Sequence, residues 1–182
     1  RDLVRSRGLG DVYKRQVRDE WKPLWGKRAV VEDHFNELVI DLVNPAGQLE
    51  RMQLVVRGYN DGFAFCYKIP DGKGLCVNVQ SELTAYNFAG DYTAWFYNGE
   101  NHNIGPEKLT ETDGTRLPVM TVKAGDKHYM AIHEACLETG APLVLQSKGG
   151  NRSFRSLPSR PVCRRDIHQP GVSFCMGRHL AC

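Results

Sequence analysis

RGYNDGFAFCYKI, residues 57–69, reads as the end of one strand, a tight turn and a second strand. Asp61-Gly62 between two period-2 runs is a strong short hairpin signal, because a two-residue turn wants positive φ and Gly62 supplies it without steric cost. After the turn, Phe63, Phe65, Tyr67 and Ile69 fall on one face, with Ala64, Cys66 and Lys68 on the other. A strand with one heavily apolar face is built to pack against a second sheet.

The same texture extends to both sides. Glu37–Val43 places Leu38, Ile40 and Leu42 on one face, and Asn44-Pro45-Ala46-Gly47 follows as a turn. Arg51–Arg57 places Met52, Leu54 and Val56 on one face, so the two runs predict an antiparallel hairpin. Pro70-Asp71-Gly72 ends the strand at Ile69. Further strands are predicted at Leu75–Val79, Leu83–Phe88, Thr93–Tyr97, Pro118–Lys123 and Lys127–Ile132. Short strands punctuated by Gly, Asn, Asp and Pro predict an all-β fold, an antiparallel β-sandwich, over residues 17–150.

The two ends differ. Residues 1–16, RDLVRSRGLGDVYKRQ, read as translated adapter or vector sequence or as a disordered basic arm, and either reading sets them outside the fold. Residues 151–182 show neither period 2 nor period 3.6 and crowd Arg, Pro, Ser and Cys, as expected of an irregular loop or a frameshifted tail.

The net charge of +3 resolves into +3 over residues 1–16, +5 over 152–182 and −5 over the 17–151 body. A mildly acidic body does not attract phosphate backbones, so no nucleic-acid partner is expected for the part that folds. Nothing approaches 18 consecutive apolar residues, so no transmembrane helix and no membrane partner are expected. The chain opens on Arg1 rather than Met, which makes the lack of a visible signal peptide uninformative.

Several chemistries fail on spacing. Neither Gly-Lys pair has the Gly a phosphate loop needs five residues earlier; Trp21 and Tyr67 stand there. His133-Glu134 lacks the second histidine of a zinc helix, because Leu137 occupies its place. Cys136 has no orienting partner and reads as a buried thiol. Cys66 and Cys76 either pair or remain ordinary thiols. In the tail, Cys163, His168, Cys175, His179 and Cys182 among six arginines suggest a zinc-dependent nucleic-acid module, although the spacing fits no finger or knuckle. No pair of acids stands out as catalytic, so no catalytic residue is assigned. Trp21, Trp25, Trp95, Phe96 and Tyr97 supply a further alternative, a stand-alone carbohydrate-binding module whose aromatic faces stack on sugar rings.

Read in order, the segments Gly26-Lys27-Arg28, Asn36-Glu37-Leu38, RGYNDGFAFCY at 57–67, Gly90-Asp91 with Thr93-Ala94-Trp95, Pro118 with MTVK at 120–123, and YMAIHEACL at 129–137 resemble the N-terminal domain of glycoside hydrolase family 97. The resemblance implies an incomplete super-sandwich of mutarotase-like type, taken from a periplasmic or secreted enzyme acting on α-glucosides or α-galactosides. It also implies a catalytic (β/α)8 barrel, absent from these residues, on which the sandwich packs and across which oligosaccharide substrate would be met. The cofactor implied is calcium, with Glu134 of His133-Glu134-Ala135 supplying one ligand. Two departures from the family's pattern stand out: Cys66 where Arg is common, and Glu138-Thr139-Gly140 where Asp-Tyr often follows.

Overall fold

The computed structural model describes residues 9–43, 51–69, 78–79, 83–97, 103–135, 142–157, 162–163 and 172–176. Within these residues every regular element is a strand. The turns at 44–47 and 70–72, most of the 75–79 strand, Cys76, Cys136, His168, His179 and Cys182 lie outside the described residues, as do the side chains of Cys163 and Cys175.

The first sheet has five antiparallel strands in the order β1-β2-β3-β4-β14, where β1 is Leu9–Trp21, β2 Val31–Val43, β3 Arg51–Tyr59, β4 Gly62–Ile69 and β14 Val172–Met176. The predicted hairpin is present, with Val43 opposite Arg51 and Glu37 opposite Arg57. The turn into β4 is displaced by one residue from its expected position. Tyr59 pairs with Gly62, so Asn60 and Asp61 form the loop, and neither they nor Gly62 has positive φ. Gly62 thus occupies the last position of the turn, where glycine is also favoured, rather than its centre.

Strand β1 overturns the expectation that residues 1–16 stand outside the fold, since residues 9–16 pair with β2 along a nearly continuous register. The cause is backbone hydrogen bonding rather than burial. Most of β1 is exposed, and its sequence therefore lacks the apolar alternation by which strands are recognised.

The second sheet runs β6-β12-β11-β9-β7-β8, where β6 is Ala85–Asn87, β7 Thr93–Tyr97, β8 Asn103–Lys108, β9 Asp113–Lys123, β11 Val144–Lys148 and β12 Ser153–Leu157. Strand β10, Tyr129–Ile132, pairs with β9 alone among the described residues, and a two-stranded ribbon joins β5, Asn78–Val79, to β13, Val162–Cys163. Strands β8, β11 and β12 go beyond the sequence-based expectations. In β11 and β12 the inward positions include Ser147 and Ser156, both buried, which breaks the apolar pattern. Strand β8 contains Gly105-Pro106, residues that ordinarily end a strand. Gly105 is required there: its φ is 120°, and an added Cβ would lie 2.6 Å from the Ala94 carbonyl oxygen.

The core belongs mainly to the second sheet. Ala94, Phe96, Leu109, Met120, Val122, Leu143, Leu145 and Phe154 form one buried cluster, and Phe65 of β4 packs against it. The Tyr67 hydroxyl shares a hydrogen bond of 3.3 Å with Thr84 Oγ1, so Phe65 and Tyr67 of the predicted apolar face turn to the second sheet, whereas Phe63 at the turn is exposed. The fold is an all-β sandwich. The expected end near residue 150 is also corrected, because Phe154 is fully buried and stacks at 5.7 Å on Phe96. Phe154→Ala should therefore cost about 3–5 kcal/mol of unfolding free energy in urea titrations of the chain. A loss below about 1 kcal/mol would mean that β12 is not part of the core.

Candidate functional site

Two places in the sandwich gather chemistry-bearing side chains, one at each sheet. The first arises from the way β9 is shared. Strand β10 pairs with residues 120–123 of β9, and β11 pairs with 113–116 along the same edge. The chain must leave that edge after Ile132 and return to it at Val144. His133 and Glu134 stand at the departure point. The Glu134 carboxylate reaches across the break, where its Oε2 accepts the Leu143 backbone N–H at 3.3 Å. His133 Nδ1 lies 2.9 Å from the Glu134 carbonyl oxygen, so the histidine serves the local backbone.

Glu134 is half-buried, and its hydrogen bond to a buried backbone segment holds the carboxylate in one place. Carboxylate oxygens are the hard donors that calcium takes, in sets of six to eight. Among the described residues no group of three His, Cys, Asp or Glu side chains converges on a common point. The chemistry of Glu134 fits a calcium ligand, then, but only as one donor to a site completed by other residues.

The second place is on the outer face of the first sheet. Arg15, Glu37 and Arg57 are direct cross-strand partners on β1, β2 and β3. Glu37 Oε1 accepts Arg15 Nε at 2.6 Å, and Oε2 accepts Arg57 Nε at 2.8 Å. The Glu37 side chain is only 4% exposed, against 64% for Arg15 and 41% for Arg57. Burial pushes the Glu37 carboxyl up, but the hydrogen bonds and charges of the two arginines together outweigh it and hold the group below the usual 4.5. Arg57 is further fixed by its position 4.4 Å over the Phe35 ring, which itself packs on Tyr59 at 5.3 Å. The Glu37 to Arg57 pairing was open to sequence reasoning, since the predicted hairpin register puts the two opposite each other. Arg15 was not, because residues 1–16 read from sequence as lying outside the fold.

The aromatic set proposed for sugar stacking is dispersed. Phe96 is buried in the core and cannot stack on a ligand, whereas Trp25 is 88% exposed beyond the end of β1. Among the described residues no helix is long and apolar enough to cross a membrane, which says nothing of strands.

The family model described as Glycosyl-hydrolase 97 N-terminal matches residues 6–162. The chain belongs to this family. A Streptomyces bingchenggensis (strain BCW-1) protein named "Probable retaining alpha-galactosidase" is 28% identical over 173 residues, covering 94% of this chain and 24% of that protein. A glycoside hydrolase family 97 enzyme from Pseudoalteromonas sp. strain K8, solved with acarbose, superposes with a TM-score of 0.78 at 22% identity, over 95% of this chain and 27% of the other. A β-arabinopyranosidase crystal structure superposes with a TM-score of 0.71 at 12% identity, over 96% of this chain and 31% of the other. The chain thus spans about a quarter of the length of the relatives first matched. At these identities the structural likeness establishes the sandwich alone; membership in the family 97 N-terminal group rests on the family model.

The paired arginines give a pH signature. A carboxyl lowered on folding stabilises the fold above its unfolded value and loses that contribution as pH falls through its folded value. Stability of the chain should therefore drop as pH falls below 4.5. Glu37→Gln should flatten that acid limb and cost about 1–2 kcal/mol at neutral pH, a figure kept small because both arginines are substantially exposed. Urea midpoints of the two proteins measured between pH 3 and 7 check this; parallel curves would contradict it.

Proposed function

We propose that this chain is the N-terminal sandwich of a calcium-dependent glycoside hydrolase that acts on α-galactosides or α-glucosides. The observation that carries the reading is the family match across residues 6–162. The α-galactosidase name of the 28% identical relative supports the substrate class. The catalytic carboxylates belong to another part of such an enzyme, and the sandwich contributes position and one metal ligand. A periplasmic or secreted setting follows from the same resemblance.

In this reading Glu134 presents its carboxylate from the break between β10 and β11, steadied by the Leu143 N–H, towards a site shared with the catalytic portion. Calcium, when bound, supplies hard positive charge that orients and polarises oxygen groups near the scissile bond. A ligand delivered from a neighbouring domain also fixes how the two domains meet. Oligosaccharide is met at that junction.

The test uses the polypeptide that joins this sandwich to its catalytic portion, assayed on nitrophenyl α-galactoside and α-glucoside. Hydrolysis of at least one, abolished by a chelator and restored by calcium, is expected. Glu134→Gln should raise the calcium needed for half-maximal activity by about tenfold or more. Hydrolysis of neither substrate would sink the enzyme reading, and an unchanged calcium requirement would remove Glu134 from the metal.

A further inference from the structure

The outer face of the first sheet carries a furrow of about 430 Å³ that the hydrolase reading leaves unused. Val39 and Val55 are cross-strand partners and form its apolar floor, with Cys66 beside them on β4. The walls carry Arg15, Arg57 and Lys68 against one lining carboxylate, Glu37, while a second acid of the same face, Asp41, is buried and accepts Gln53 Nε2 at 2.8 Å. The charge of the Glu37 carboxylate is offset, because each of its oxygens accepts an arginine Nε. Strand alternation turns Lys14, opposite Leu38, to the other face, so three cations, Arg15, Arg57 and Lys68, face the arginine-bound Glu37 and leave a local surplus of positive charge. Such a local surplus of positive charge marks a place for an anion.

The donors suit a planar anion. Because Glu37 engages only Nε of each arginine, the Nη groups of Arg15 make no other hydrogen bond among the described residues. Arg57 is held over Phe35, so its guanidinium is oriented before any ligand arrives. Tyr13, opposite Val39 and 54% exposed, offers a ring at the furrow's side. An apolar floor, an aromatic edge and an amide from Gln53 match the two faces of a pyranose ring, while the guanidinium forks match a carboxylate.

We propose that this furrow binds a saccharide bearing a carboxylate, of the hexuronate class, separately from the Glu134 region. The furrow would then hold acidic sugar units of a glycan at the sandwich while the joined catalytic portion works on another part. This rests on the reading that the protein acts on saccharides. The two are tested apart, because binding is measured on the 182-residue chain without catalysis.

Galacturonate, galactose and acetate are titrated into the full chain and followed by NMR or calorimetry. Expected is saturable galacturonate binding with a Kd on the order of 1 mM, with galactose and acetate each at least about tenfold weaker. Lys68 makes no ion pair among the described residues, so Lys68→Gln should leave the thermal midpoint unchanged and weaken binding by about threefold. Tyr13→Ala should weaken it by about fivefold. Raising NaCl from about 50 to 500 mM should weaken it further. Equal binding of galactose would show that the carboxylate is not read, and equal binding of acetate would show that the sugar is not. Either result, the absence of saturation, or affinities unmoved in both variants would overturn the proposal. If galacturonate fails to bind while the joined protein hydrolyses its glycoside, only the furrow assignment falls.

Discussion

The register between β2 and β3 is the constraint on which the first sheet depends. With Glu37 opposite Arg57, the odd positions of β2 carry Phe35, Glu37, Val39 and Asp41 outward, and the even positions carry Leu38, Ile40 and Leu42 towards the second sheet. A slip of one residue would exchange the two sets, because side chains alternate with a period of two. It would expose the apolar face and drive Glu37 into it without its arginines, leaving an unpaired charge in apolar surroundings. Hydrophobic patterning and charge pairing therefore select the same register. The charged row across β1, β2 and β3 contributes little net stability for its size, since both arginines remain in contact with water. Its larger effect is to penalise the wrong alignment.

The second sheet is organised by strand length instead. Strand β9 has 11 residues, whereas β10 has 4 and β11 has 5, so one edge of β9 accommodates two successive partners. The buried cluster runs continuously beneath this join, from Met120 and Val122 to Leu143, Leu145 and Phe154. Each fully buried side chain of this kind contributes about 1.5–3 kcal/mol, which lets the core tolerate a break in the ladder above it. At the break a backbone N–H would otherwise lack a strand partner, and the Glu134 carboxylate supplies one at Leu143. The same geometry that satisfies the backbone fixes a carboxylate at the rim of the sheet.

How much of this was legible in the sequence depended on where each strand buries its side chains. The strands β3, β4, β7 and β10 combine apolar alternation with turn residues, and each was predicted close to its observed bounds, whereas β2, predicted from Glu37, begins six residues earlier at Val31. Strand β1 was missed because it is an exposed edge, held by ladder bonds that any sequence can make. Strands β11 and β12 were missed because Ser147 and Ser156 sit at buried positions where an apolar residue would have signalled a strand. The turn before Gly62 was displaced by one residue because Asn60-Asp61 and Asp61-Gly62 are both good turn centres; the pairing of Tyr59 with Gly62 decides between them. At the site level, Glu134 was visible only through family resemblance. Nothing in its local spacing distinguishes it from a solvated acid at a strand end.

The two sheets thus divide the domain's chemistry in a way that the separation of their polar groups requires. Glu134 belongs to the second sheet, at an interrupted edge where a single carboxylate with one oxygen hydrogen-bonded can serve a metal only alongside donors from elsewhere. The cationic furrow belongs to the first sheet, on the face turned away from the second, and its carboxylate is already bound by two arginines. A carboxylate whose charge two arginines already offset draws a cation weakly, whereas Arg15, engaged by Glu37 at Nε, keeps its Nη donors for an anion. If the proposed roles hold, opposite charge preferences on different sheets would let one small sandwich meet a metal-bearing neighbour and an acidic ligand without either competing for the other's groups.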